Sequence, residues 1–202
     1  MRVRPWRVFD LILLSAIAVC FASGGRAEEP AKTQSVTAGP LKLAVPETWK
    51  QKEATSRFRL AQFTLPKVAG DAEDAEFVVY FFGAGGGGGP EANLDRWIKQ
   101  FQTQERKVKL TSGKSPQGEY ILADVSGTWN KPIGPPIAQK TKEMPGARAL
   151  SIILTGKDQN NYFLRLTGPE KTVSANADAL RAAIGADAKA EKAYALPESS
   201  GN

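Results

Sequence analysis

The chain has 202 residues, a formal net charge of +6 and 42% hydrophobic residues, values that suit one globular domain and exclude a wholly disordered chain. It contains no histidine and one cysteine, Cys20. These two counts exclude metal sites built on imidazole and thiolate clusters, and catalysis by Ser-His-Asp or Cys-His groups. Acid–base chemistry would then depend on a carboxylate, a lysine or a tyrosine.

The first 27 residues have the three parts of a secretory signal peptide. Arginines lie within residues 1–7, an apolar stretch occupies residues 11–22, and Gly25 and Ala27 precede a cleavage position before Glu28. The uncharged run of 15 residues is shorter than the ~20 that a membrane-spanning helix needs. We therefore predict a signal peptide over 1–27, a secreted or periplasmic location, and no transmembrane span after cleavage.

Cleavage would lower the charge and remove the cysteine. It takes away four arginines and Asp10, which leaves about +3 on residues 28–202. A balance this small does not favour nucleic acid as a partner. Cys20 offers a minor alternative, a lipid anchor on its thiol, but Val19 stands where a lipoprotein site has Gly, Ala or Ser.

The mature chain is predicted to begin with strands. The polar segment 28–39 is expected to be a loose N-terminal arm, followed by a single domain over 40–185. Apolar residues alternate with polar ones after that arm, and the last of three runs is apolar throughout, which is typical of a central strand. Trp49 is expected to pack back onto the core. The three predicted strands are 41–45, 57–65 and 76–82.

A glycine run then leads into an amphipathic helix, predicted over 90–104. Pro90 suits the first helical turn, where its missing N–H costs nothing. The apolar residues fall at i, i+3, i+4 and i+7, which places them on one helix face. These residues are Leu94, Trp97, Ile98 and Phe101.

The second half repeats strands before a last helix. Val173, Ala177, Leu180 and Ile184 would share one helical face, which predicts a helix over 173–184 ended by Gly185. A mobile C-terminal tail is predicted over 186–202. The predicted strands are 108–112, 119–129, 149–155 and 162–167.

The segment 130–146 contains four prolines and two glycines and is predicted to be a long irregular loop. Loops of this length are often functional, and Trp129 at its start is expected to be exposed. We therefore predict an interaction surface on this segment. Its candidate residues are Trp129, Asn130, Lys131, Ile133 and Ile137.

The element order β-β-β-α-β-β-β-β-α with short links predicts an α+β fold. We expect a single mostly antiparallel sheet of six to seven strands packed with two amphipathic helices.

This layout, with the P-x-x-W turn at 46–49 and the closing YFLRLTGP, resembles the PsbP-like fold. EFVVYFFG, ANLDRWIKQF and NYFLRLTGP also resemble a group of uncharacterised secreted planctomycete proteins, over residues 40–184. The resemblance implies a small exported or lumenal α/β/α domain, mostly without catalysis, that assists a larger assembly. It carries over no functional residue.

Three further clusters contain residue types that can form binding sites. The run 83–88 contains G-x-G-x-x-G before a helix, but five consecutive glycines satisfy that pattern trivially and no Lys-Ser/Thr follows, so a flexible linker is favoured. The acidic residues Asp71, Glu73, Asp74 and Glu76 lack the calcium-loop pattern and indicate a solvated turn. The basic residues Arg106, Lys107, Lys109 and Lys114 suit the C-terminal end of the preceding helix.

These observations favour an exported, non-catalytic accessory or binding protein of the cell envelope, acting through contacts with a protein or a surface. Two alternatives remain open at this point. One is a hydrolase of envelope polysaccharide that uses two carboxylates, and the other is a carrier with an apolar cavity between sheet and helix. No cofactor or metal is predicted, and the oligomeric state is left open.

Overall fold

The structure, a computed structural model, describes residues 32–134 and 138–196. The predicted signal peptide, Cys20 and residues 197–202 of the predicted tail lie outside these ranges. The elements in the described part are β1 Thr33–Ala38, β2 Leu41–Pro46, β3 Lys50–Lys52, β4 Arg59–Leu65, β5 Ala75–Tyr80, α1 Pro90–Lys99, β6 Lys107–Ser115, β7 Gly118–Pro132, β8 Thr141–Gly156, β9 Asn161–Pro169, α2 Glu170–Ala175, α3 Ala177–Ala183, a 3₁₀ turn Ala188–Ala190 and β10 Lys192–Ala193.

Eight strands form one sheet in the order β10-β6-β7-β8-β9-β5-β4-β3, and β1 and β2 form a separate hairpin. Every pair is antiparallel, so the predicted α+β class with an antiparallel sheet is confirmed. The main sheet has more strands than the six to seven predicted. The additional β3 and β10 have three and two residues, too few for an alternating pattern to be visible.

The sheet carries a hydrophobic core on each face, because successive side chains of a strand point to opposite faces. Phe163 and Leu164, neighbours in β9, belong to different cores. The larger core lies between the sheet, the β1–β2 hairpin and the pair α2–α3. The smaller core lies under α1, which contributes Leu94 and Trp97. No helix in the described part of the chain is long and apolar enough to cross a membrane.

Trp49 packs into the larger core, as expected. Its side chain is 1% exposed, and its ring centroid lies 6.4 Å from that of Phe63 and 5.1 Å from that of Phe77. Its indole Nε1 donates a 2.8 Å hydrogen bond to Asn176 Oδ1, between α2 and α3. One side chain therefore joins the sheet to the helix pair.

Two segments predicted to be loose are ordered. The predicted N-terminal arm is wrong for Thr33–Ala38, because this segment pairs along its whole length with β2 and buries Val36 and Ala38. The predicted mobile tail is wrong up to Leu196. β10 pairs with β6, and the side chain of Glu191 is only 5% exposed.

Both helices differ from their predicted bounds. Helix α1 ends at Lys99 and not at 104, because Gln102 N donates to Thr128 O and draws the chain into contact with β7. The predicted helix 173–184 begins earlier, at Glu170, and is divided at Asn176. Gly185, with a φ of 74°, ends it as predicted.

Candidate functional site

The segment predicted to be an irregular loop is mostly a two-stranded ribbon. Strands β7 and β8 continue past the ends of their outer neighbours, and Trp129–Pro132 pairs with Thr141–Met144. We call these two segments the arm. The loop prediction is wrong for the arm because Pro132 lies at the end of β7 and Pro145 lies beyond the paired residues Thr141–Met144, positions where a proline does not interrupt pairing.

A bulge sets the direction of the arm. The register of β7 and β8 shifts between Gly127 and Trp129, where β8 has one residue more than β7. Gly146 of β8 has a φ of 62° at this point, a left-handed conformation that glycine adopts without strain. Such bulges bend a strand pair and increase its twist. The bulge therefore allows the arm to bend away from the plane of the sheet.

Trp129 is buried, so its predicted exposure is wrong. It is 6% exposed and stacks on Phe101, with ring centroids 6.3 Å apart and an interplanar angle of 19°. Phe101 is available for this contact because the helix stops before it. Asn130 N donates 2.8 Å to Gln100 O, which fixes the base of the arm to the end of α1.

The other predicted interaction residues are separated. Lys131 Nζ donates 2.6 Å to Glu73 Oε1, while Ile133 at the end of the arm is 42% exposed. Ile137 lies outside the described residues. The structure thus turns Trp129 and Lys131 toward the sheet and leaves Ile133 at the surface.

A polar pocket of about 360 Å³ lies between the arm and the part of the sheet that α1 leaves uncovered. We call it the arm pocket. Trp129, Lys131 and Pro132 contribute its arm side. Its volume falls within the range of small-molecule sites, ~300–1,000 Å³. The strands β4, β5 and β9 contribute Arg59, Thr64, Glu76, Tyr80, Arg165 and Thr167.

Two of the three cations that line the arm pocket have carboxylate partners. Arg59 Nη1 lies 3.4 Å from Glu76 Oε1, and Lys131 pairs with Glu73. Both pairs are partly exposed, so each contributes little net stability. Burial raises the pKa of Tyr80, against the opposing effects of Arg59 and Arg165, so this phenol is a neutral hydroxyl at physiological pH.

Arg165 is the third cation, and it has no carboxylate within 4 Å in the described part of the chain. Its Nε donates 3.1 Å to Ser151 Oγ and its Nη2 donates 2.9 Å to Gln100 Oε1. The guanidinium carbon lies 5.2 Å from the centre of the Trp97 ring. Burial, with a contribution from Arg96, lowers the pKa of Arg165 to about 10, and the group stays charged at neutral pH.

The indole N–H of Trp129 is enclosed behind the wall of this pocket. Its Nε1 is buried and has no acceptor among the described residues. Buried donors are normally paired, because an unpaired one costs ~1–3 kcal/mol. Gln100 joins Arg165 to the base of the arm, since its side chain accepts from Arg165 Nη2 and its carbonyl accepts from Asn130 N.

Sequence reasoning identified Trp129 and Lys131 but missed Arg165. The available signal was an arginine inside the apolar strand YFLRLT, flanked by buried residues. That pattern shows a charge in a central strand, but it does not show whether an acid lies opposite. Only the placement of β8 and of the end of α1 reveals that the partners are Ser151 and Gln100.

A second groove, of about 580 Å³, lies near the start of α1. Pro90, Ile121, Ile153 and Tyr194 contribute apolar surface to it. Its position between sheet and helix is the one that the carrier alternative requires.

The acidic cluster is divided among separate structural roles. Asp71 Oδ2 accepts from Thr172 N at 2.8 Å, Asp74 Oδ1 accepts from Lys67 N at 3.0 Å, and Glu73 and Glu76 form the ion pairs given above. Among the described residues, no group of three or more acids is placed to hold a metal ion.

The other two clusters also have structural roles. Arg106 Nη1 donates to the carbonyls of Ile98 and Phe101 at 3.2 and 3.1 Å, as expected for a cation at a helix end. In the glycine run, a Cβ on Gly87 would lie 2.5 Å from Cε2 of Phe163, so this part is packed and is not the flexible linker that was predicted.

No protein-family model matches the chain, and no curated protein does. Among solved structures the chain is similar to the PsbP protein of Synechocystis sp. PCC 6803 (CyanoP), at 11% identity and a TM-score of 0.46, covering 86% of this chain and 99% of that one. It is also similar to a Pseudomonas aeruginosa protein of unknown function, at 14% identity and a TM-score of 0.42, covering 77% and 95%. The first is a PsbP protein, the group that the sequence layout resembles. Neither similarity assigns a function.

Proposed function

We propose that the protein is an exported, non-catalytic binding protein that holds a small ligand in the arm pocket. The observation that carries this proposal is the charge of Arg165, which lines a pocket of ligand size without a carboxylate partner. A desolvated charge without a counter-ion lowers stability unless something else compensates it. Proteins retain such costs where function requires them, and a ligand bound here would supply the missing interaction.

The carboxylate groups give little support to the hydrolase alternative. That mechanism needs one acid whose pKa is raised so that it can donate a proton near neutral pH. In the described part of the chain, the carboxyl groups with shifted pKa values are Glu119, Asp158 and Glu191, and all three are shifted downward. A binding role needs no such group.

A thermal-melt screen of small molecules with two matched variants tests the proposal. Thr167 lines the arm pocket and Thr155 lines the apolar groove beside α1, and both are half-buried strand residues. A ligand at 100 times its Kd stabilises by ~2.7 kcal/mol, which corresponds to roughly 5–10 °C in a domain of this size. We expect Thr167→Phe to abolish the shift and Thr155→Phe to retain it.

The reverse pattern, with the shift lost only in Thr155→Phe, would assign the ligand to the apolar groove and favour the carrier alternative. If the protein unfolds cooperatively and no small molecule raises its melting temperature, the proposal of a small-molecule ligand is contradicted.

A second candidate function is contact with a macromolecular partner through the end of the arm. Ile133, 42% exposed beside a ribbon with unpaired edges, favours it. A photo-crosslinking residue at Ile133 is expected to give a defined cross-linked product in the native envelope. The control position is Val108 on β6, which is equally exposed and remote in sequence. Equal products from both positions, or none from Ile133, would contradict this function.

A further inference from the structure

Arg165 is the one cation of the arm-pocket lining that lacks a carboxylate partner among the described residues. The lining contains three cations, Arg59, Lys131 and Arg165, and two carboxylates, Asp74 and Glu76, while Lys131 pairs with Glu73 outside the lining. Glu76 is already engaged by Arg59 and by Gln62 Nε2 at 2.7 Å, and Asp74 is exposed at the rim. The charge that remains to be compensated is therefore a single positive one on Arg165.

The free donor of Arg165 indicates what would compensate this charge. Arg165 uses Nε and Nη2 for its two hydrogen bonds, which leaves Nη1 for a further acceptor. A guanidinium only donates, so the compensating group must be an oxygen that accepts hydrogen bonds.

The two acids of the lining select among anions. Asp74 and Glu76 would repel a doubly charged phosphate, whereas a single carboxylate matches the one uncompensated charge. A planar guanidinium also matches the two oxygens of a carboxylate in geometry. Val78 and the Tyr80 and Trp129 rings give apolar surface for the rest of such a molecule.

We propose that the arm pocket binds a small organic monocarboxylate, with Arg165 as the anchor. This inference rests on the proposed function and names its ligand class.

Calorimetric titration with benzoate and hexanoate tests it, with benzamide and inorganic phosphate as comparison ligands. We expect a carboxylate to bind and benzamide to bind at least tenfold more weakly. Arg165→Met is expected to weaken carboxylate binding about 10–100-fold, the loss of one charge-assisted interaction. Arg57→Met, at an exposed arginine outside the pocket, is the control and should leave the affinity unchanged.

Stability of the ligand-free variants separates a binding role for Arg165 from a structural one. Without its ligand, Arg165→Met is expected to change the melting temperature little, because removing a charge without a counter-ion offsets the loss of its hydrogen bonds to Ser151 Oγ and Gln100 Oε1. A clear fall in melting temperature would assign the arginine to structure and overturn the inference.

The remaining outcomes are distinct. If neither carboxylate binds, or if the Arg165→Met protein binds them equally well, the inference is wrong. If phosphate or a neutral molecule binds instead and Thr167→Phe removes that binding, the ligand class is wrong but the proposed function stands. If no molecule binds in a way that Thr167→Phe affects, the proposed function itself fails.

Discussion

Trp49→Ala is expected to lower the free energy of unfolding by about 3–5 kcal/mol, the range measured for large aromatic residues truncated in well-packed cores. The side chain is 1% exposed and touches Phe63 and Phe77, so a cavity would form in the larger core. Truncation also leaves Asn176 Oδ1 without its donor. Urea denaturation followed by far-ultraviolet circular dichroism measures the loss without depending on tryptophan fluorescence.

Trp49→Phe separates the two causes. Phenylalanine keeps most of the apolar contact but cannot donate to Asn176, so we expect a loss of about 1–2 kcal/mol. Equal losses in the two variants would show that the hydrogen bond, and not the packing, joins the sheet to the helix pair.

Glu191→Gln is expected to cost about 2–3 kcal/mol, although the residue lies close to the C-terminal end of the described chain. Its carboxylate accepts from Arg181 Nε at 2.7 Å, Thr111 Oγ1 at 2.9 Å and Tyr120 OH at 3.1 Å. The side chains of Glu191 and Arg181 are 5% and 12% exposed, so the substitution leaves a buried cation unpaired. Glu119→Gln is the matched control. Its ion pair with Lys114 is largely exposed, and we expect no measurable loss.

The same carboxylate predicts a dependence on pH. Burial raises the pKa of Glu191, but hydrogen bonds from Arg181, Thr111 and Tyr120 outweigh burial, and the net pKa lies below its usual value of 4.5. A lowered folded-state pKa contributes stability above the unfolded-state value, and that stability is lost as the pH falls through the folded-state pKa. We therefore expect the unaltered protein to lose more stability than the Glu191→Gln variant between about pH 5 and pH 3. Parallel pH profiles would contradict this assignment.

The elements that could be predicted from the sequence are those in which apolar residues recur with the spacing of a strand or of a helix. The alternation in β4 and β9 and the apolar face of α1 were visible because burial there follows from the residues of the element itself. Strand β1 was missed because TQSVTA is mostly polar, and its order comes from pairing with β2. The end of α1 was missed for a related reason. Phe101 continues the helical period, but it packs on Trp129, a residue 28 positions later in the chain.

The candidate site was predicted in part. Trp129 and Lys131 were identified because they lie beside or within a proline-rich segment. Both residues line the arm pocket, but the segment was predicted to be an irregular loop and its arm is a paired ribbon. Arg165 could not be found in this way, because an unpaired charge is defined by the absence of an acid on neighbouring strands. The order and register of the strands determine which side chains surround Arg165. Both depend on contacts between residues that are far apart in the sequence.

The lysines of β6 protect an open edge of the sheet. Strand β10 pairs only with Thr111 and Ser112, so most of the outer edge of this nine-residue strand has no pairing partner among the described residues. Such an edge can add a strand from another molecule and begin aggregation. Lys107, Lys109 and Lys114 are exposed along it, and a second copy pairing there would bring its own lysines against these. These lysines therefore disfavour the pairing of two copies of this protein along this edge.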